Sequence, residues 1–344
     1  MDATTTFGVD IAKSVMQLHW VEPTTGEIKR KKLTRSKFVE FFAQRQRGLI
    51  ALEACGGAHH WARTLMALGH QVELLSPRAV RPFVTGNKDD AADARAIWMA
   101  AQHGDIRRVP VKSCSQQAVL SLHRARKHWV DVRTATINML RGLLYEFGVV
   151  LPVGKHAGLS TLGEQRLHIE QVLPTSMLHL VDAQLLAIKD LQERADAIEA
   201  EIAAVHKGDE AALRLRKVPG IGLLGATALA AGFGDGTGWR NARDFSCTLG
   251  LVPRHSGTGG KVSIGTLSKR GDPYVRNLLI SGARAVLSQK NAPGWAIEML
   301  KRRPFNVVVV ALAHKMARTA WALLAHGRSY DRQWQSEPPT LSAA

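Results

Sequence analysis

Cysteine is scarce in this chain of 344 residues, and the three that occur, Cys55, Cys114 and Cys247, stand far apart with no Cys-x-x-Cys pair. That spacing builds neither a disulfide framework nor a cysteine zinc site, and it fits a reducing, cytoplasmic compartment. Long apolar runs are missing too. No stretch of about 18 apolar residues is there to span a bilayer. Val307–Ala313 is too short, and Met1–Phe7 lacks the basic and apolar regions of a signal peptide. Acid is the third deficit: 29 Asp and Glu face 46 Lys and Arg, for a formal net charge of +17. Such an excess suits a polyanion, because each neutralised phosphate releases condensed counterions. With no membrane span, nucleic acid is the better partner.

What is present reads as globular. Hydrophobic residues make up 45% and charged residues 22%, which is ordinary for a folded chain, and the length suits two or three domains. Thr6–Ile11, Met16–Val21 and Ile28–Leu33 carry strand patterns separated by turns. A helix at Ser36–Gln46, a strand at Leu49–Leu52, a helix at His60–Leu68, a strand at Gln71–Leu75 and an Ala-rich helix at Asp89–Gln102 follow. Three strands and then alternating helix and strand is the element order of an α/β ribonuclease H fold, here residues 1–112. Residues 113–207 read as a long-helix, coiled-coil region. Its first helix, Ser113–Phe147, carries Arg124, Arg126, Lys127, Arg133 and Arg141. A loop with Gly154, Gly158 and Gly163 leads to a second long helix, Thr175–Val205. There Ile188, Leu191, Ala195, Ile198, Ile202 and Val205 alternate spacings of three and four, the seam of a coiled coil. The two helices could pair with each other or with another subunit. Residues 208–330 form a mostly helical C-terminal domain, and 331–344 a disordered tail.

Acids mark the first domain. Asp10 lies near the end of the first strand and Glu53 directly follows the fourth. In a ribonuclease H topology those strands are neighbours, so both carboxylates leave one edge of the sheet. Asp90 and Asp93 are three apart and share a helix face. Four acids converging there need cations. Two Mg²⁺ ions about 4 Å apart, for which Mn²⁺ can substitute, would activate an attacking oxygen and stabilise a leaving one. Taken singly, Asp89, Asp90 and Asp93 equally suit a helix N-terminus through its dipole, Asp89 most of all.

The C-terminal domain offers three further motifs. Leu215–Ala226 has the form of a helix–hairpin–helix, whose turn at Pro219, Gly220 and Gly222 exposes backbone N–H groups to a DNA phosphate. A dinucleotide reading of Gly220, Gly222 and Gly225 fails, since Arg214, Arg216, Lys217 and Pro219 precede it where a buried strand is required. Gly250–Lys261 is not a phosphate loop either, with His255 at its first required glycine and Val262 after the lysine. It reads as a flexible basic loop presenting Ser256 and Thr258, either a plain anion-binding turn or the carrier of a nucleophilic Ser256. Lys269 and Arg270 precede a helix capped by Asp272 and Pro273 that carries Arg276 and Arg284; these cations suit phosphate or plain solvation. His59, His60 and the other histidines lack metal-ligand spacing.

Together these segments resemble the DEDD transposases of the insertion sequence 110/1111 type, relatives of the pilin-gene invertases. The resemblance rests on Gly8–Lys13, Glu53 and Asn87–Ala94, then Val218–Gly222, Gly250–Pro253, Ser256–Gly257 and Ile264–Asp272. It implies a RuvC-like domain with Asp10, Glu53, Asp90 and Asp93 as its four metal-holding acids, and Ser256 as a covalent nucleophile on DNA. It also implies a dimer or tetramer in which one subunit's serine meets another's acids. Double-stranded DNA, as element ends and target, would be the substrate. A structured non-coding RNA of the element would choose the sites, with the helix around Arg124–Arg141 as an RNA contact and Lys261, Lys269, Arg270 and Arg276 as backbone contacts. The chain departs from the family in one respect: Gly257 separates Thr258 from Ser256, which leaves Thr258 as a second candidate nucleophile. Two other expectations stand beside a transposase: a RuvC-like junction endonuclease that uses water, and an RNA-binding scaffold without catalysis.

Overall fold

The computed structural model describes residues 4–85 and 89–332, without the side chain of residue 156. Asn87, Lys88 and nearly all of the expected disordered tail lie outside the described residues. The chain divides into two compact units, one running to Gln116 and including Phe233–Asn241, the other formed by Gln117–Gly232 and Ala242 onward.

The first unit is a mixed sheet flanked by helices, consistent with a ribonuclease H-like α/β domain. Its elements are β1 (Thr6–Ile11), β2 (Val15–Val21), β3 (Ile28–Thr34), α1 (Arg35–Ala43), β4 (Leu49–Glu53), α2 (Ala58–Ala67), β5 (Gln71–Leu75), α3 (Pro77–Val80), α4 (Asp90–Ala101) and β6 (Arg108–Val109). The strand order is β3-β2-β1-β4-β5-β6, with β1, β4 and β5 parallel and the others antiparallel to their neighbours. Side chains alternate across a sheet. Phe7, Val9, Met16, Leu18, Trp20, Ile50 and Leu52 accordingly form one core with Phe38 and Phe42 of α1 and Trp61 and Leu65 of α2. Ala51 and Leu75 face the other way, onto Ala96, Ile97 and Ala100 of α4.

That second layer depends on Gly8. A Cβ there would stand 2.5 Å from the Trp98 nitrogen and closer still to the Ala94 carbonyl oxygen. Backbone therefore meets backbone, and α4 lies directly on β1. Asp89 caps α4, its carboxylate accepting from the Ala91 N–H at 3.3 Å. The strand β6 carries no sequence pattern; it is held by pairing with β5 and by an Arg108–Glu73 ion pair at 2.5 Å.

The second unit contains α5 (Cys114–Tyr145), α6 (Lys155–Glu164), α7 (Arg166–Val172), α8 (Thr175–His206), α9 (Glu210–Arg216), α10 (Leu223–Phe233) and α11 (Ala242–Thr248). It continues with β7 (Pro253–Thr258), β8 (Lys261–Leu267), α12 (Pro273–Leu287), α13 (Gly294–Leu300) and α14 (Phe305–Ala325). Within the chain α5 and α8 run antiparallel: Arg126 pairs with Glu199 at 2.7 Å, and Arg133, seven residues on, donates to Gln192, seven residues back. The seam differs from expectation at its end, where Val205 is 42% exposed and His206 is buried in its place. The glycine-rich stretch expected as a loop is helical instead. Leu159, Leu162, Ile169 and Leu173 recur at helical spacing and bury against Leu140, Leu144, Val181 and Ile188, which outweighs the cost of Gly158 and Gly163.

Two further expectations change. Val307–Ala313 belongs to α14, a helix of 21 residues long and apolar enough by composition to cross a membrane. Here Val308, Val309, Leu312, Met316 and Leu323 are buried, and α14 packs against α9, α11, α12 and α13 as a core helix. The expected flexible loop around Ser256 is a hairpin. Ser256 pairs with Ser263 across it, and Gly259 and Gly260, both at positive φ, make the two-residue turn that favours such a ribbon.

Gly8→Ala should lower the stability of the first unit by about 1–3 kcal/mol through overpacking. Urea unfolding followed by tryptophan fluorescence reads this. Gly104→Ala, whose methyl meets nothing within 4 Å, is the control and should change stability by less than about 0.5 kcal/mol.

Candidate active site

In the parallel pair β1–β4, Val9 lies opposite Leu52. Asp10 and Glu53 are the next residue on each strand, so the two acids leave the sheet side by side. They point to the face on which Gly8 admits α4, and the first turn of α4 carries Asp90 and Asp93. Carboxylate oxygens of Asp10, Asp90 and Asp93 all lie within 4.8 Å of one another. Glu53 falls outside that tight group but within electrostatic reach of Asp10 and Asp93.

The electrostatics follow from crowding. Burial first, then Asp93, Asp90 and Glu53, push the Asp10 carboxyl up to about 6, against the pull of the Ile11 N–H. Burial and then Asp93 also raise Glu53. The N-terminus of α4 favours carboxylates nearby, which accounts for Asp90 and Asp93 as helix residues. It does not account for Asp10, a half-buried acid brought to them from another element. Hard oxygen donors held together in this state fit a divalent cation, which would take the place of the lost protons. Cys55 was legible in the sequence only as a redox marker. It lies beside these acids, with its thiol pushed up by burial and then by Glu53 and Asp10. Its nearness to Glu53 in sequence was the available signal.

The C-terminal candidates are not gathered in this way. Ser256, Thr258 and Lys261 are exposed on the hairpin, and Lys269 and Arg270 are exposed just after it. Lys269 has φ +52, the one left-handed non-glycine backbone among the described residues. The base of the hairpin is fixed firmly. A Cβ on Gly271 would collide with the Thr248 carbonyl, and one on Gly250 with the Arg270 backbone. Arg276, expected to offer its charge to nucleic acid, is instead buried. Its guanidinium donates to the carbonyls of Leu249 and Arg270, each at 3.2 Å, and so ties these segments together.

The Gly220 turn joins α9 to α10 at φ +87, and Gly282 of α12 comes so close that a Cβ there would strike the Gly220 carbonyl. That glycine is required by packing whatever the turn binds; Gly222 is exposed. On α5, Arg126 and Arg133 tie the helix to α8, and Arg141 donates to Asn138 and to the Pro152 carbonyl. Lys127 is exposed and paired with Asp131, and Arg124 is exposed. His59 is structural, accepting from the Lys112 N–H at 3.2 Å.

Comparison with known proteins follows the same division. A family model of the IS110 DEDD type, described as "Transposase", matches residues 7–148. The model described as "Transposase IS116/IS110/IS902 family" matches residues 212–297. The chain is 45% identical to a Pseudomonas aeruginosa protein named "Probable family 20 transposase", covering 94% of this chain and 97% of that one. It is 36% identical to the transposase for insertion sequence element IS1328 of Yersinia enterocolitica, covering 96% and 100%. With the transposase for insertion sequence element IS1111A of Coxiella burnetii it shares 37% identity, covering 94% and 90%.

The raised Asp10 predicts a pH-dependent metal effect. The folded state holds this proton more tightly than the unfolded chain, so the stability it contributes is complete below the ordinary 3.8 and is lost as pH rises through about 6. A divalent cation binds the carboxylate form and should restore that stability over the same window. Melting should therefore show a larger cation-induced rise at about pH 8 than at about pH 5, and Asp10→Asn should flatten the difference. Equal increments at both pH values in the wild type would refute the site.

Proposed function

The chain belongs to the IS116/IS110/IS902 family of transposases, and on that premise we propose that it cuts and rejoins DNA through Asp10, Glu53, Asp90 and Asp93 together with Ser256. The observation that carries the reading is the meeting of Asp10 from a strand with Asp90 and Asp93 from a helix within 4.8 Å. An acid this crowded serves the fold poorly and a dication well. Mg²⁺ held by these carboxylates would polarise the scissile phosphate and stabilise the departing oxygen. Glu53, set beside Asp10 by strand register, completes the ligand set.

Ser256 supplies the attacking oxygen in this reading. As its Oγ–phosphorus bond forms, the bond from phosphorus to the sugar oxygen of the leaving strand breaks. The hydroxyl proton of the serine leaves, and the freed sugar oxygen takes one up. The phosphoserine conserves the bond energy, so the strand can be rejoined without ATP. Ser256 lies within the ladder opposite Ser263, nearer the fixed base of the hairpin, whereas Thr258 is equally exposed but sits next to the glycine turn, and this position supports Ser256. The acids would act as residues 1–112, the long helices 113–207 would organise a dimer or tetramer and contact a structured RNA, and residues 208–330 would carry the serine. Lys261, Lys269 and Arg270 have free access to a phosphate backbone, and Gly222 offers exposed backbone at the start of α10.

Incubation of the protein with a labelled element-end duplex and Mg²⁺, followed by denaturing electrophoresis, tests both halves. Wild type should yield a protein–DNA adduct. Ser256→Ala should abolish the adduct and strand transfer, and Asp10→Asn with Asp93→Asn should lower both by at least about a hundredfold. Strand cutting that persists in Ser256→Ala, with no adduct in wild type, would replace the phosphoserine with water as nucleophile.

A further inference from the structure

The register of the sheet extends the acid site sideways. Asp10 of β1 lies opposite Gln17 of β2, and Gln17 lies opposite Lys32 of β3. One step along, Gly8 lies opposite His19, and His19 opposite Arg30. Paired residues share a face, so Arg30 and Lys32 stand on the α4 side of the sheet with Asp10. Lys32 is two strand spacings from Asp10, about 10 Å. His19 packs its ring on Trp98 of α4 and is buried. Its imidazole is held below its ordinary value by burial first, and then by Arg30 and by Arg95 of α4. Both cations therefore border the same patch, and Arg95 is exposed there.

β3 is an edge strand, and lysines on an edge commonly serve to discourage pairing with other chains. That role asks only for charge and makes no distinction between the faces of the strand. The run Lys29–Lys32 does distinguish them. On the opposite face Lys29 pairs with Glu27 at 2.6 Å, and Lys31 lies over the Phe41 ring at 5.1 Å. Arg30 and Lys32 are exposed, and among the described residues neither side chain has a hydrogen-bond or ion-pair partner. Two partnerless cations beside four carboxylates would stabilise the fold more if they neutralised the acids. They stand two strand spacings away instead, about three base-pair rises measured along the axis of duplex DNA.

We propose that Arg30 and Lys32, with Arg95 at their flank, form a track for the phosphodiester backbone of the DNA strand whose bond lies at the Asp10 cluster. The track holds phosphates on one side of the cut, and it rests on the reading of the acids as the cutting site. Its contacts are to backbone, so they position the strand without reading its sequence.

Fluorescence anisotropy of a fluorescein-labelled DNA duplex, titrated with the full-length protein at several salt concentrations, tests this. Arg30→Gln with Lys32→Gln should weaken binding roughly tenfold and reduce the salt slope by about two. Lys29→Gln with Lys31→Gln removes the same charge from the other face and should stay within about twofold of wild type. Equal losses in both pairs, or no loss in the first, would overturn the track. So would a loss confined to a labelled RNA hairpin run as a parallel probe. Asp10→Asn separates this proposal from its premise, since it should abolish cutting and leave duplex affinity intact. If Asp10→Asn still cuts while the Arg30 and Lys32 pair has lost affinity, the acid reading fails, and the pair is a DNA contact with no cut beside it.

Discussion

Everything that makes the first unit a candidate site depends on α4 lying against β1 with no side chain at Gly8 between them. The missing Cβ of Gly8 lets the Ala94 carbonyl and the Trp98 nitrogen come to the strand backbone. The alanines of α4 allow the same approach along its length, with Ala94, Ala96 and Ala100 fully buried. Because the helix sits this low, its first turn reaches the end of the strand two residues beyond Gly8, where Asp10 stands. A methyl group at position 8 would lift the helix and separate the acids. Packing and chemistry are therefore one constraint: the close approach of α4 to β1 at Gly8 brings acids of helix and strand together. The Asp10 carboxyl, raised to about 6, is the measure of that conflict.

Much of this was legible in the sequence where alternation was strong. The apolar positions of Thr6–Ile11 and Leu49–Glu53 mark buried strands, and an acid after each marks a common edge once the strands are taken as parallel neighbours. What escaped was structure held by single contacts or masked by glycine. β6 is two residues long and is fixed by Arg108 on Glu73, which no periodicity announces. The helices α6 and α7 were hidden by Gly158 and Gly163, although Leu159, Leu162, Ile169 and Leu173 carry the helical spacing. At Gly259–Gly260 the sequence did hold the signal. Paired glycines between short β-prone runs suit a hairpin turn as well as a flexible loop, and the ladder from Pro253 to Leu267 decides between them.

Charge was legible as a total and misleading as a map. The excess of 46 basic over 29 acidic residues points to a polyanion, yet several of the arginines that seemed free to meet one are occupied inside the protein. Arg126 and Arg133 fasten α5 to α8, and Arg276 bridges two carbonyls beneath the hairpin. A guanidinium suits these tasks because its planar array of donors satisfies two acceptors at once. A helix with many arginines on it therefore need not present a basic surface. The alternation of a strand sorts its cations between faces more sharply than the periodicity of α5 does.

The same distinction bears on how the two chemical groups could be kept safe. Asp10, raised to about 6, holds its proton in competition with any cation bound beside it, so a cation would bind there less well at mildly acid pH than near neutrality. Ser256 is exposed, and its only neighbour across the hairpin ladder is Ser263, which is no base. A serine hydroxyl without a base is a weak nucleophile. If Ser256 is the attacking group, the hairpin alone cannot activate it, and the acids alone have no covalent nucleophile to offer. Each half is then chemically inert until DNA joins it to the other. A transposase would gain from such an arrangement, because the reactive combination would exist only where a strand occupied both halves. The stiffness beneath the hairpin, with Gly250, Gly271 and Arg276 fixing its base, would serve such a serine, since it holds β7 and β8 in one orientation.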